Sequence, residues 1–236
     1  GNPGAAGKDT FQLRAPMSSV KPVLEEAFGM TDDENKYVYL TDGGHFENLG
    51  IYEMVLRRCH LIVISDAAAD PEYNFGDLGN AIRKVRIDLG VPIEFTAMPI
   101  FGQDAKDYDK RKGMYWAIGR IRYSCIDADA QDGLLIYIKP AVYGTEPGDV
   151  LEYKKSHPTF PHQSTADQFF DEPQFESYRI LGSHVMDQMC GSGDDKLDFD
   201  QVIKSVVDQL IDPAAPGQAD KGLQKWFDEW CNSAPS

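Results

Sequence analysis

LIVIS, Leu61–Ser65, constrains the fold more than any other stretch of this chain. It is an apolar run unbroken by charge, bounded by His60 and Asp66. Such a run is typical of a strand covered on both faces in a parallel sheet. The segments on either side have a different period. Leu49, Tyr52, Leu56 and Cys59 fall at i, i+3, i+7 and i+10, one helical face. Ile51, Met54 and Val55 are apolar too, so this helix is expected to be well buried. Leu78, Ile82, Val85 and Leu89 mark a second amphipathic helix, closed by Gly90 as a C-cap. Ahead of both, Tyr37–Thr41 is rich in β-branched and aromatic types and predicts a strand. Strand, helix, strand and helix within about 55 residues predict an α/β fold, a layered sheet with helices on both faces.

The rest of the chain adds to that frame. Residues 1–20 are expected to be an irregular N-terminal segment, followed by a short helix over Lys21–Phe28 and a polar turn at TDDEN, 31–35. Pro92–Ile100 can add a strand. Tyr115–Tyr123 and Leu134–Lys139 predict an antiparallel hairpin joined by the acidic loop Asp127–Gly133. Pro140–Pro161 is expected to be loop. Ser164 is placed as an N-cap, with Asp167 three residues on. Phe175, Tyr178, Leu181, Val185 and Met189 then give a helical stripe. Val202, Ile203, Val206, Val207 and Leu210 give another. Leu223, Phe227 and Trp230 give a last, after a Pro/Gly-rich break at 213–217. The division is thus 1–20, a main domain over 21–190, and a C-terminal helical appendage over 191–236.

Charge and cysteine content narrow the function. A net charge of -15 repels nucleic acids and anionic headgroups. Cys59, Cys125, Cys190 and Cys231 form no CxxC pair. They are expected to be free thiols, mostly core filler, in a reducing compartment: the cytoplasm or the cytoplasmic face of a membrane. No run of about 18 apolar residues is present to span a bilayer. No signal-peptide pattern is visible, and the start at Gly1 rather than Met predicts a processed or engineered N-terminus.

The chemically pointed stretch is YVYLTDGGHFENLG, Tyr37–Gly50. Asp42 stands where the expected strand gives way to a glycine turn. A carboxylate at the C-terminal end of a sheet strand faces the crevice where open α/β folds bind ligands. Gly43 and Gly44 can take positive φ and admit another backbone. Asp42 can then act as general base toward a hydroxyl nucleophile. Asp-Gly-Gly is also a common turn in which Asp bonds its own backbone, and on the tripeptide alone that is the better reading.

The wider stretch, YVYLTDGGHFENLGIYEMV, resembles the second catalytic segment of patatin-like acyl hydrolases. LIVISDAAADP and FPHQSTADQFFDEPQFESYRILG resemble a bacterial-type branch of the same family, over roughly residues 15–190. The resemblance implies a Ser–Asp dyad without a histidine base. A serine in a GxSxG elbow attacks a lipid or phospholipid ester, and the aspartate of DGG activates it. Asp42 matches that aspartate, Gly43 and Gly44 its glycines, and Asn48 the asparagine that commonly follows. No cofactor or metal is implied. Some members of this branch are membrane-associated through segments ahead of this region.

This chain has no GxSxG. Ser192 lies between Gly191 and Gly193, but Cys190 occupies the minus-two position. The glycine-rich oxyanion segment is absent as well. Residues 21–190 are therefore expected to be the C-terminal part of a hydrolase domain, incomplete at its N-terminal side. The N-terminal part of the same protein would supply the nucleophile, and this chain alone is expected to be inactive. The alternative is a non-catalytic hydrolase-like module that binds lipid or a partner.

Other clusters carry less. His45 can line a pocket mouth but reads better as a turn histidine. Glu47 fits a helix N-terminus, and HFE is too short to specify a metal site. Asp66 could sit on the same sheet edge as Asp42, though capping the next loop is the commoner role. DADAQDG at 127–133 has its glycine one place late for a calcium loop and Ile138 at its twelfth position. DDKLDFD at 194–200 lacks the glycine. Arg83, Lys84 and Arg86 form a small basic cluster, expected to be a solvated face. Trp226, Phe227 and Trp230 are expected on the core side of the last helix.

Overall fold

The computed structural model describes residues 18–31, 37, 42–102, 113–164, 166–191, 199–211 and 221–233. Apart from Tyr37, the strand expected over Tyr37–Thr41 lies outside them. So do Ser192, most of TDDEN and of DDKLDFD, and the break at 213–217. The chain divides into two compact units between Phe46 and Glu47.

Among its described residues the first unit carries α1, Val20–Ala27, and a 3-10 turn at Gly43–His45. Helix α1 matches the expected Lys21–Phe28, and none of its residues is buried.

The second unit is a mixed α/β structure. Its elements are α2 (Ile51–Leu56), β1 (Leu61–Ser65), α3 (Gly76–Lys84, continued by a π turn at Val85–Leu89) and β2 (Ile93–Phe95). They continue with β3 (Trp116–Ile121), β4 (Gly133–Ile138), α4 (Gly148–Ser156), α5 (Glu172–Cys190), α6 (Phe199–Ile211) and α7 (Lys221–Ser233). The sheet order is β1-β4-β3-β2. Strand β1 runs parallel to β4, whereas β3 is antiparallel to both β4 and β2.

Register assigns the faces, because paired residues point the same way. Tyr137, Leu135, Ala117, Ile62 and Ile64 share one face; Trp116, Ile118, Arg120, Ile136 and Val63 share the other. Helix α2 packs on β1, and Phe75 stacks edge-on against Tyr137 on the first face. On the second face the Trp116 indole donates to the Val206 carbonyl of α6 (3.3 Å). There too the Arg120 guanidinium lies 5.1 Å from the centre of the Trp226 ring of α7. Helices therefore flank both faces, and β3 and β4 are buried on both.

The cover is not uniform, which corrects the expectation for LIVIS. Strand β1 is an edge strand, and Val63 is 47% exposed while Ile62 and Ile64 are buried. An apolar run does not distinguish an edge strand from a central one, since the run lists what could be buried and neighbours decide what is. Helix α2 is corrected for the same reason. Its buried pair is Ile51 and Val55, while Met54 and Leu56 are exposed.

Three further differences concern helix boundaries. Pro140–Pro161 is not all loop, because α4 forms within it. That helix buries only Val150 and Tyr153, too few positions for a stripe, and has no side-chain cap to announce it. Ser164 is not an N-cap; its Oγ accepts from Ala166 N–H in a local turn (3.2 Å). The cap of α5 is Asp171, which accepts from Gln174 N–H (2.8 Å) ahead of Pro173. This later start turns Gln174 and Ser177 inward and leaves Phe175 61% exposed. Elsewhere the expected stripes hold. Leu78 and Val85 are buried in the second helix, as are four of the five apolar positions in α6, and Phe227 and Trp230 in α7. Gly90 ends its helix at φ 69. Cys125 and Cys231 are exposed, so two of the four free thiols are not core filler. Among the described residues no helix is long and apolar enough to cross a membrane.

Candidate functional site

Asp42 caps the 3-10 turn of the first unit. Its Oδ1 accepts from Gly44 N–H at 3.0 Å, the Asx geometry by which aspartate starts a turn. The side chain is exposed. Among the described residues Oδ2 has no hydrogen-bond partner. One oxygen thus fixes the rotamer and the other is available to an incoming proton. Gly43 and Gly44 lie in the right-handed turn, so neither uses the positive φ open to it. The conformational freedom of glycine is not what this turn needs; both residues are exposed, and an added Cβ at Gly43 would meet nothing within 4 Å. His45 is the last residue of the turn and exposed.

In the second unit Glu47 is buried at the start of α2. Its carboxylate accepts from Leu49 N–H (2.5 Å) and Tyr52 N–H (3.2 Å), which fits the expected role at a helix N-terminus. Asn48 donates from its side-chain amide to Asp77 Oδ2 (2.9 Å), tying the loop before α2 to the first turn of α3.

The C-terminal ends of the two parallel strands carry a second constellation. Ser65 is level with Ile138, so Asp66 and Lys139, the next residue on each strand, meet. They are 2% and 1% exposed, and Lys139 Nζ lies 3.0 Å from Asp66 Oδ2. The Tyr137 hydroxyl donates to the same oxygen. Burial first, and the Asp66 carboxylate second, push that phenol above its ordinary range. Asp66 Oδ1 accepts from Ala68 N–H (2.9 Å), so the expected loop-capping role is what the geometry contains. No oxygen of Asp66 is left for a second catalytic acid.

The network extends outward. Asp70 lies 3.8 Å from Lys139 Nζ and accepts from Asn74 and Phe75 N–H (2.9 and 2.8 Å). Asp70 N–H in turn donates to His162 Nδ1 (3.4 Å), which puts the ring proton on Nε2. His162 is 5% exposed. Burial, aided by the Lys139 charge, lowers its pKa from 6.5 to about 4, against the opposing pull of the Ala68 carbonyl and Asp70.

Beside this network is a cavity of about 1130 Å³ whose lining includes Tyr73, Phe75, Phe101, Phe160 and His162. Its lining residues all belong to the second unit. The sequence carried one signal for the network: two apolar strands, LIVIS and LLIYI, each followed by a charge, of opposite sign. Pairing them requires knowing that the strands are neighbours in register.

The remaining clusters behave simply. Asp132, in the 127–133 loop, is buried. It accepts from Ser124 N–H (2.9 Å) and pairs with Arg120 (2.7 Å), so this part of the loop is anchored rather than solvated. Among the described residues no group of three or more His, Cys, Asp or Glu could hold a metal. Arg83 and Arg86 are exposed.

Comparison of the chain with protein-family models, curated proteins and solved structures finds no match in any of the three.

Proposed function

We propose that this chain supplies the aspartate half of a Ser–Asp acyl hydrolase of the patatin-like type, acting on lipid or phospholipid esters. Asp42 is its general base. The GxSxG nucleophile comes from polypeptide outside this sequence. The observation that carries the proposal is the state of the Asp42 carboxylate. Gly44 N–H fixes Oδ1, Asp42 is exposed, and Oδ2 has no partner among the described residues. A general base must be held in one rotamer and still reach a proton. The resemblance of residues 37–55 to the family's DGG segment supports the same role.

The reaction begins when the elbow serine attacks the ester carbonyl and Asp42 takes its proton; the ester C–O bond then breaks, and Asp42 returns the proton to the departing alcohol. The acyl-enzyme is then hydrolysed by water activated at the same carboxylate. In the protein containing both halves, Asp42→Asn should lower kcat/KM on a p-nitrophenyl ester by about 10³–10⁴, the scale of a lost nucleophile-activating group. The chain by itself should give no turnover above buffer. Turnover by the pure chain that a serine-directed inhibitor abolishes would overturn the split. Unchanged kcat/KM in Asp42→Asn would leave the non-catalytic module as the reading.

A further inference from the structure

The cavity beside α4 has no role in the acyl-hydrolase proposal, yet it is built like a binding site. Its volume, about 1130 Å³, is slightly above the usual span of small-molecule pockets, roughly 300–1,000 Å³. The lining is largely apolar and includes the rings of Tyr73, Phe75 and Phe101, Met98, and Leu151 of α4. One wall is held in an uncommon backbone state. Tyr73 and Phe75 have φ of 54° and 53°, a region bulky residues rarely occupy and one that clusters at ligand sites. The Asp70 carboxylate holds that wall by accepting from the Asn74 and Phe75 amides. Tyr73 is further fixed by its edge-on contact with His162, ring centres 4.7 Å apart.

Charge selects the occupant. The lining carries two cations, Lys154 and Lys155, and one carboxylate, Glu72. Glu72 accepts from the Asn74 side-chain amide (3.1 Å). Lys154 Nζ donates to the Pro158 and Phe160 carbonyls (2.7 and 2.5 Å), which brings its charge to the wall. Lys155 is exposed, where the lining meets solvent, and makes no ion pair among the described residues. Elsewhere the chain is strongly acidic, at -15 overall. A local excess of positive charge over an aromatic cavity complements an apolar body with one anionic head.

We propose that this cavity binds a long-chain carboxylate, its tail among Tyr73, Phe75, Met98 and Leu151 and its head beside Lys155 and Lys154. The site is independent of Asp42. Its test reads binding and not turnover, so the two proposals stand or fall separately.

The probe is 1-anilinonaphthalene-8-sulfonate, an aromatic body with one anionic head, titrated into the folded chain at neutral pH. Fluorescence should saturate at one site per chain. Hexadecanoate should displace the dye at least tenfold more effectively than hexadecanol. Lys155→Glu, a surface change, should weaken both anions about tenfold with the circular dichroism spectrum unchanged. Leu151→Trp, which adds bulk to the cavity wall, should weaken displaceable binding. Equal competition by the neutral alcohol, unchanged affinity in Lys155→Glu, or absence of a saturable site would overturn the proposal.

Discussion

His162 shows how one residue's surroundings set its chemistry. Its ring is buried beside a buried lysine, and its pKa falls from 6.5 to about 4. The folded state therefore resists a proton that the unfolded state accepts. The stability this represents is fully present above pH 6.5. It is lost progressively as pH falls from 6.5 to about 4, then stays level. The loss should be on the order of 3 kcal/mol. Denaturant melts of wild type and His162→Gln between pH 7.5 and 4 check this, and the variant's stability should fall less over that window. Nothing in FPHQS announces the burial, because the ring is enclosed by the Asp70 amide and the Tyr73 side chain, 92 and 89 positions away in sequence. Asp66 is the intermediate case. Its capping of Ala68 is local and legible in SDAAAD, whereas its salt bridge to Lys139 depends on strand register. Asp42 is the most legible, since its contact with Gly44 spans two residues.

Among the elements, β1 separates composition from environment. Ile62 and Val63 are adjacent apolar residues of one strand, yet Ile62 is 3% exposed and Val63 47%. Ile62→Ala should cost about 2–4 kcal/mol, from lost transfer energy and the cavity left behind. Val63→Thr should change stability by less than about 0.5 kcal/mol. Chemical denaturation of the two variants measures the contrast, and equal costs would show that both faces of β1 are covered. Periodicity found α3 and α6 because both are two-sided, with clear stripes. It missed α4, where two buried positions in nine give no period, and it misplaced the start of α5 by preferring Ser164 to Asp171. Both residues are good caps by type, but Pro173 fits only the first turn of a helix, so the local sequence itself favours Asp171.

For the molecule as a whole, the sheet is sealed by helices far away in sequence. Trp226 of α7 lies over Arg120 of β3 and is 9% exposed, and the Trp116 indole binds α6. Trp226→Ala should therefore destabilise the sheet unit by about 3–5 kcal/mol, since it deletes a buried ring and uncovers a guanidinium. A lowered midpoint with a single transition is the expected denaturation profile. Local sequence is enough to set the mixture of helices and strands, the hairpin of β3 and β4, the apolar faces of α3, α6 and α7, and the turn at Asp42. Each of these is settled by residues within a few turns of one another. Tertiary structure alone decided which face of β1 meets solvent, the meeting of Asp66 with Lys139, the neutrality of His162 and the aromatic cavity beside α4. Those depend on strand order and register, which place side chains 70 to 100 positions apart within contact distance, and no local pattern encodes that pairing.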